Sequence, residues 1–190
     1  MQSLYTLDRM SNDVNSAEAV HHLRKQIDQS HRLFVYLIYF LSEVARYAEK
    51  DALKKASKHL PTEQDLNINT KIAGNELLWK IVEEPGYVAA CNETKPQLLM
   101  DEELLRKTYQ ALAQSEEYID YTGLQNRDKK GEKDILEFIF TNLMLPNENF
   151  ISHVEEHFIN WDDDAEMMNV IMLNFLQKPG SYNFNEFVSK

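Results

Sequence analysis

The chain has 190 residues, 43% of them hydrophobic, enough for one sizeable core or one core with an appendage. Lysine and arginine number 20 against 31 acids, and the net charge of −11 argues against a protein whose main surface grips phosphate by counterion release. The single cysteine, Cys91, can form no internal disulfide, and no apolar run approaches the roughly 20 residues that span a bilayer, which excludes a disulfide scaffold and a membrane helix.

The opening "MQSLYTLDRM" lacks the basic start and apolar middle of a signal peptide, so a cytoplasmic location is the simplest expectation. Charge is unevenly spread. From Ser16 to Lys58 there are eight basic and five acidic residues, and from His59 to Lys190 eleven basic and twenty-four acidic. Any polyanion contact therefore belongs near the front.

In chain order, Leu4, Tyr5 and Leu7 suggest the end of a short first helix, closed by "SNDVNS". Asn15 with Glu18 forms a capping pair for a second helix, along which Val20, Leu23, Ile27, Phe34, Leu37, Ile38, Leu41 and Val44 recur at threes and fours. Running toward Lys58, it exceeds 40 residues, which implies a kink or a projecting end. Pro61 disfavours helix at Leu60, and Thr62, Asp65, Asn67 and Asn69 offer turn and capping groups before a shorter helix in "NELLWKIVEE". Pro85 to Gln97 reads as irregular. "MDEELLRKTYQALAQS" restores the helical period, with acids in its first turn.

"TGLQNRDKKGEKD" reads as a polar linker whose Arg127, Lys129 and Lys130 are solvated. The expected organisation is an N-terminal helical region with the long helix (1–121), the linker (122–133), a three-helix unit (134–178) and a tail (179–190). The unit's segments are marked by Ile135 to Met144, by Phe150, Ile151, Val154 and Phe158, and by Met168, Ile171, Met172 and Phe175. Asn147 and the Trp161–Asp164 stretch supply the breaks, with Asp162 or Asp163 expected as the cap of the last helix. With no alternating strand anywhere, the chain is expected to be all-α, a helical bundle with one long helix and a C-terminal three-helix unit.

His153, Glu156 and His157 have the H-x-x-E-H spacing of an inverted zinc-peptidase pattern, in which two histidines four apart share a metal and a glutamate acts as base. The same residues also make one ordinary helical turn. A catalytic zinc needs a third ligand, for which only Glu166 and the nearby aspartates are candidates, so a zinc peptidase stays a remote alternative. No glycine-rich phosphate loop, nucleophile elbow or paired-cysteine site accompanies it, and the expectation is no enzyme, no cofactor and no metal.

Three stretches, "MQSLYTLD", "FVYLIYFLSEVARYAEKDALKKASKHLPTEQDLNINTK" and "HVEEHFINWDDDAEMMNVIMLNFLQ", together resemble the transcription antitermination and termination factors of the NusB family, in the long form with an extended amino-terminal half. Residues 58–71 are the most specific part, because their order of Pro, Asp and Asn has no generic helical explanation; the "INWDDD" corner comes next.

The resemblance implies a NusB-like helical bundle that acts without enzyme chemistry. It implies binding of a boxA-like RNA together with a small-subunit ribosomal protein, on an elongating RNA polymerase complex. Of the family's RNA-contacting positions, Gln2 and Tyr5 carry over, Tyr5 offering a ring for stacking and a hydroxyl for phosphate. After the tryptophan corner the chain departs from the family pattern, reading Ala165-Glu166-Met167-Met168. Neither the arginine-rich arm nor the "INE" and "FVNG" helices of the family are found. The expected role is therefore that of a fragment serving mainly as scaffold, with weak RNA affinity. The alternative is an acidic helical protein-interaction module without RNA binding.

Overall fold

A computed structural model of the chain describes residues 16–158 and 161–184; the short first helix and the Asn15 cap expected from the sequence lie outside them. All regular structure among the described residues is helical. The order is α1 (Ser16–Ala56), α2 (Glu63–Leu66), α3 (Glu76–Val82), α4 (Pro85–Thr94), α5 (Glu102–Gln114), α6 (Glu116–Gly123), α7 (Lys129–Phe138), α8 (Glu148–His157) and α9 (Trp161–Gln177). Single 3₁₀ turns lie at Lys71–Gly74, Pro96–Leu99 and Pro179–Ser181. The all-α expectation holds.

Helix α1 is the axis. Its 41 residues run about 60 Å at 1.5 Å per residue. Between Leu33 and Ala48 the only side chains not buried are Tyr39, Glu43 and Arg46, spaced i, i+4, i+7 as one narrow solvent-facing strip. A helix apolar on nearly every side must be surrounded. Helices α4, α5 and α9 and the turns at 71–74 and 96–99 do this. The excess length is resolved by projection: α1 is one uninterrupted element, and from Glu18 to Gln29 no residue is buried.

The stretch from Pro85 to Thr94, expected to be irregular, is helical. Glu84 caps it by accepting the Tyr87 N–H at 2.7 Å, Pro85 occupies its first turn, and Lys95 ends it at φ 50°, in the left-handed region. Its apolar period is weak because it buries only Gly86, Tyr87 and Ala90, with the Tyr87 ring 5.4 Å from Phe184. Packing and caps override the sequence pattern here.

Helix α7 widens into a π-helical segment, Ile139–Met144, closed by the Leu145 N–H donating to Phe140 O at 3.1 Å. Asn147 then caps α8, accepting from Asn149 N and Phe150 N. Helix α9 begins at Trp161, so Asp162 and Asp163 belong to its first turn and neither is the preceding cap. That corrects the expectation of an aspartate cap: a cap at Asp162 or Asp163 would start the helix at residue 163 or 164, and residues 161 and 162 are already helical. Asp164 ties this turn to α1, accepting from Ser30 Oγ at 2.7 Å.

One apolar core joins residues on both sides of the polar stretch 122–133. Phe34 of α1 lies 5.2 Å from Phe175 of α9 and 4.8 Å from Tyr182, and Phe184 closes the same cluster. Residues 182 and 184, from the expected tail, thus pack against the axis.

Candidate functional site

Residues 58–71 form a corner closed by the side-chain hydrogen bonds of Lys58, Thr62, Asp65, Asn69 and Lys71. Thr62 and Asp65 make a reciprocal capping box that starts α2, the Asp65 carboxylate accepting from Thr62 N at 3.0 Å while Thr62 Oγ1 accepts from Asp65 N. Lys58 bonds Asp65 at 2.7 Å, closing the corner back onto the end of α1. That ammonium, first, and the Thr62 donors hold the Asp65 carboxyl well below the usual carboxylate range. Asn69 Nδ2 donates to Thr122 O, and Lys71 Nζ donates to Tyr121 O and Leu124 O at 2.7 and 2.8 Å. The corner is fastened to the end of α6 by side chains satisfying its terminal carbonyls.

Beside it lies a buried charged hub. Glu132, its side chain only 4% exposed, accepts from Tyr121 Oη at 2.8 Å, Arg127 Nη1 at 2.9 Å and Glu76 N at 2.7 Å. Its own carbonyl accepts from Asn75 Nδ2 at 2.8 Å, while Asn75 Oδ1 caps α3. Arg127 also donates to Lys71 O at 2.8 Å. A Cβ at Gly74 would stand 2.9 Å from Arg127 Nη2, so glycine leaves room for the guanidinium. Burial, then Glu132, raises the Tyr121 pKa, keeping its hydroxyl a donor.

Arg127, expected to be solvated, meets Glu132 here, a residue with no role expected from the sequence. Arg127 is exposed but ion-paired to Glu132, whereas Lys129 and Lys130 are exposed and enter no ion pair formed among the described residues. A signal for Glu132 existed: it sits three and four residues before Ile135 and Leu136, on the apolar face of α7. A carboxylate on a core-facing stripe demands partners.

The two histidines of the zinc pattern do lie together, with ring centroids 4.5 Å apart. His157 Nδ1 donates to His153 O at 2.8 Å, one turn back, and the His153 ring lies 5.8 Å from Tyr36. Burial first, then His157, lowers the His153 pKa, and its Nε2 is buried with no hydrogen-bond partner among the described residues. No third ligand converges on the pair: among the described residues no group of three or more His, Cys, Asp or Glu side chains is placed to hold a metal.

Gln2 and Tyr5, the positions carried over for RNA contact, lie outside the described residues. What is described of the basic front is the outer half of α1, where Arg24, Lys25 and Arg32 are exposed and enter none of the ion pairs formed among the described residues. The geometry as a whole defines an all-α protein organised on a single long helix, with polar chemistry concentrated in the 58–71 corner and the Glu132 hub. No family model, curated protein or solved structure matches the chain. No helix among the described residues is long and apolar enough to cross a membrane.

Proposed function

We propose that the chain is a NusB-like transcription antitermination factor, acting with a boxA-like RNA and a small-subunit ribosomal protein on an elongating polymerase. The supporting observation is the 58–71 corner. Within the stretch that carries the resemblance, Lys58, Thr62, Asp65, Asn69 and Lys71 are all engaged in one polar junction. The all-α fold built on one long helix, α1, is consistent with the same reading.

In this reading Gln2 and Tyr5 meet RNA bases and phosphate, and Arg24, Lys25 and Arg32 of the projecting α1 supply positive charge at the front. The remainder of the chain, strongly acidic, acts as scaffold. An arginine-rich arm preceding residue 1 would add the electrostatic share of the affinity.

Titration of labelled boxA-like RNA tests this, with the 190-residue chain and with a version carrying an added arginine-rich arm, each at two salt concentrations. The chain alone is expected to bind weakly, and the arm to raise affinity at least tenfold, steeply salt-dependent. Tyr5→Ala and the pair Arg24→Glu, Lys25→Glu should each lower it. Absence of binding by both versions would overturn the RNA reading and leave a protein-interaction module without RNA.

A further inference from the structure

Helices α6 and α7 form a hairpin with an open groove of about 480 Å³ along it. Glu117, Asp120, Tyr121 and Leu124 line it from one side, and Gly131, Asp134, Ile135 and Phe138 from the other. Both sets have the spacing i, i+3, i+4, i+7, so each lies along one face of its helix, the first ending at Leu124 just past α6, and the space between two such faces is shaped for a third helix. Gly131, without a side chain, leaves a notch midway.

The groove's centre is apolar. Leu124 is 52% exposed, an uncommon place for a leucine in so polar a stretch, while Tyr121 and Ile135 form the buried base. Its charged lining is acidic: Glu117, Asp120 and Asp134 are all exposed and flank the apolar strip. The cation facing Asp134, Lys133, sits 3.9 Å from it and 4.0 Å from Glu137, so one lysine is divided between two carboxylates. Lys130 lies one turn before Asp134 and pairs with no acid among the described residues. The hub behind the groove holds it open, since Tyr121 is fixed by Glu132 and Lys71 covers the Tyr121 ring at 4.6 Å.

We infer that this groove is a docking site for an amphipathic helix of a partner protein whose apolar stripe is flanked by lysine or arginine. Burial of Leu124 and Phe138 under the partner's stripe supplies affinity, and the three carboxylates select the sign of its flanks. Docking here requires no RNA and leaves α1 untouched, so it can hold whether or not the chain binds nucleic acid.

The probe is a synthetic helical peptide with leucines at i, i+3, i+4 and i+7 and lysines and arginines beside them, against a second peptide with glutamates in their place. Binding to the full chain is followed by fluorescence anisotropy at 0.15 M salt. The basic peptide is expected to bind in the micromolar range and the acidic one not at all. Asp120→Lys with Asp134→Lys should weaken the basic peptide at least tenfold, and Leu124→Ser at least threefold. The pair Glu155→Lys, Glu156→Lys, exposed on α8, makes the same charge change elsewhere and should alter binding less than twofold. No binding of the basic peptide at 1 mM, or an equal loss in the α8 pair, would overturn the proposal, the latter by reducing it to general attraction toward an acidic protein. Sedimentation of the chain alone gives the remaining outcome: self-association abolished by Leu124→Ser would mean that a second copy occupies the groove, which also overturns it.

Discussion

Replacing Glu132 with alanine tests the hub most directly. The carboxylate receives three donors: the Tyr121 hydroxyl in a buried bond, the Glu76 N–H in a partly buried one, and Arg127, which keeps 32% of its side chain exposed. Hydrogen bonds to a charged group contribute about 1.5–3 kcal/mol each, and breaking a buried ion pair costs about 3–5 kcal/mol. Arg127 can turn partly to water, which places the loss toward the lower end, about 3 kcal/mol. Glu132→Gln preserves the shape but turns one acceptor into a donor facing donors, for about 2 kcal/mol. Arg127→Ala should cost at least as much as Glu132→Gln, because it leaves the buried Glu132 carboxylate without its cation. Urea unfolding followed by circular dichroism measures all three, with unchanged m-values showing that stability alone has moved. A loss below about 1 kcal/mol for Glu132→Ala would refute the assignment of Glu132 as the acceptor on which the hub depends.

Other expectations follow from single groups. Burial lowers the pKa of His31, and burial with His157 lowers that of His153, so both favour the neutral ring in the folded state. Stability from these groups is fully present above their unfolded value near 6.5 and is lost as pH falls through the folded values. The thermal midpoint should therefore drop between pH 7.5 and 5.5, and less so in His31→Gln with His153→Gln; an identical drop in that variant would sink the assignment. Asn147→Ala removes the α8 cap and should cost about 1 kcal/mol, whereas Asp162→Ala, inside the first turn of α9, should cost about 0.5 kcal/mol; a reversed order in denaturant titrations would contradict the boundaries of those helices.

Local chemistry along the chain was enough to show that it is helical, that one helix is far longer than the rest, and that it stops before Pro61. Threes and fours of apolar residues and a helix-stopping proline act over four residues or fewer, so they are written in neighbouring letters. Long-range pairing decided the rest. Periodicity could not say that α1 is enclosed on nearly every side between Leu33 and Ala48, because enclosure depends on which helices return to it. Pro85–Thr94 carries little apolar period and is helical because Glu84 and Lys95 close its ends and Tyr87 finds Phe184. Glu132 looked like one more solvated acid in a charged run. Its partners Glu76, Tyr121 and Arg127 are up to 56 residues away, and only folding brings their donors within 3 Å of a carboxylate that water no longer reaches.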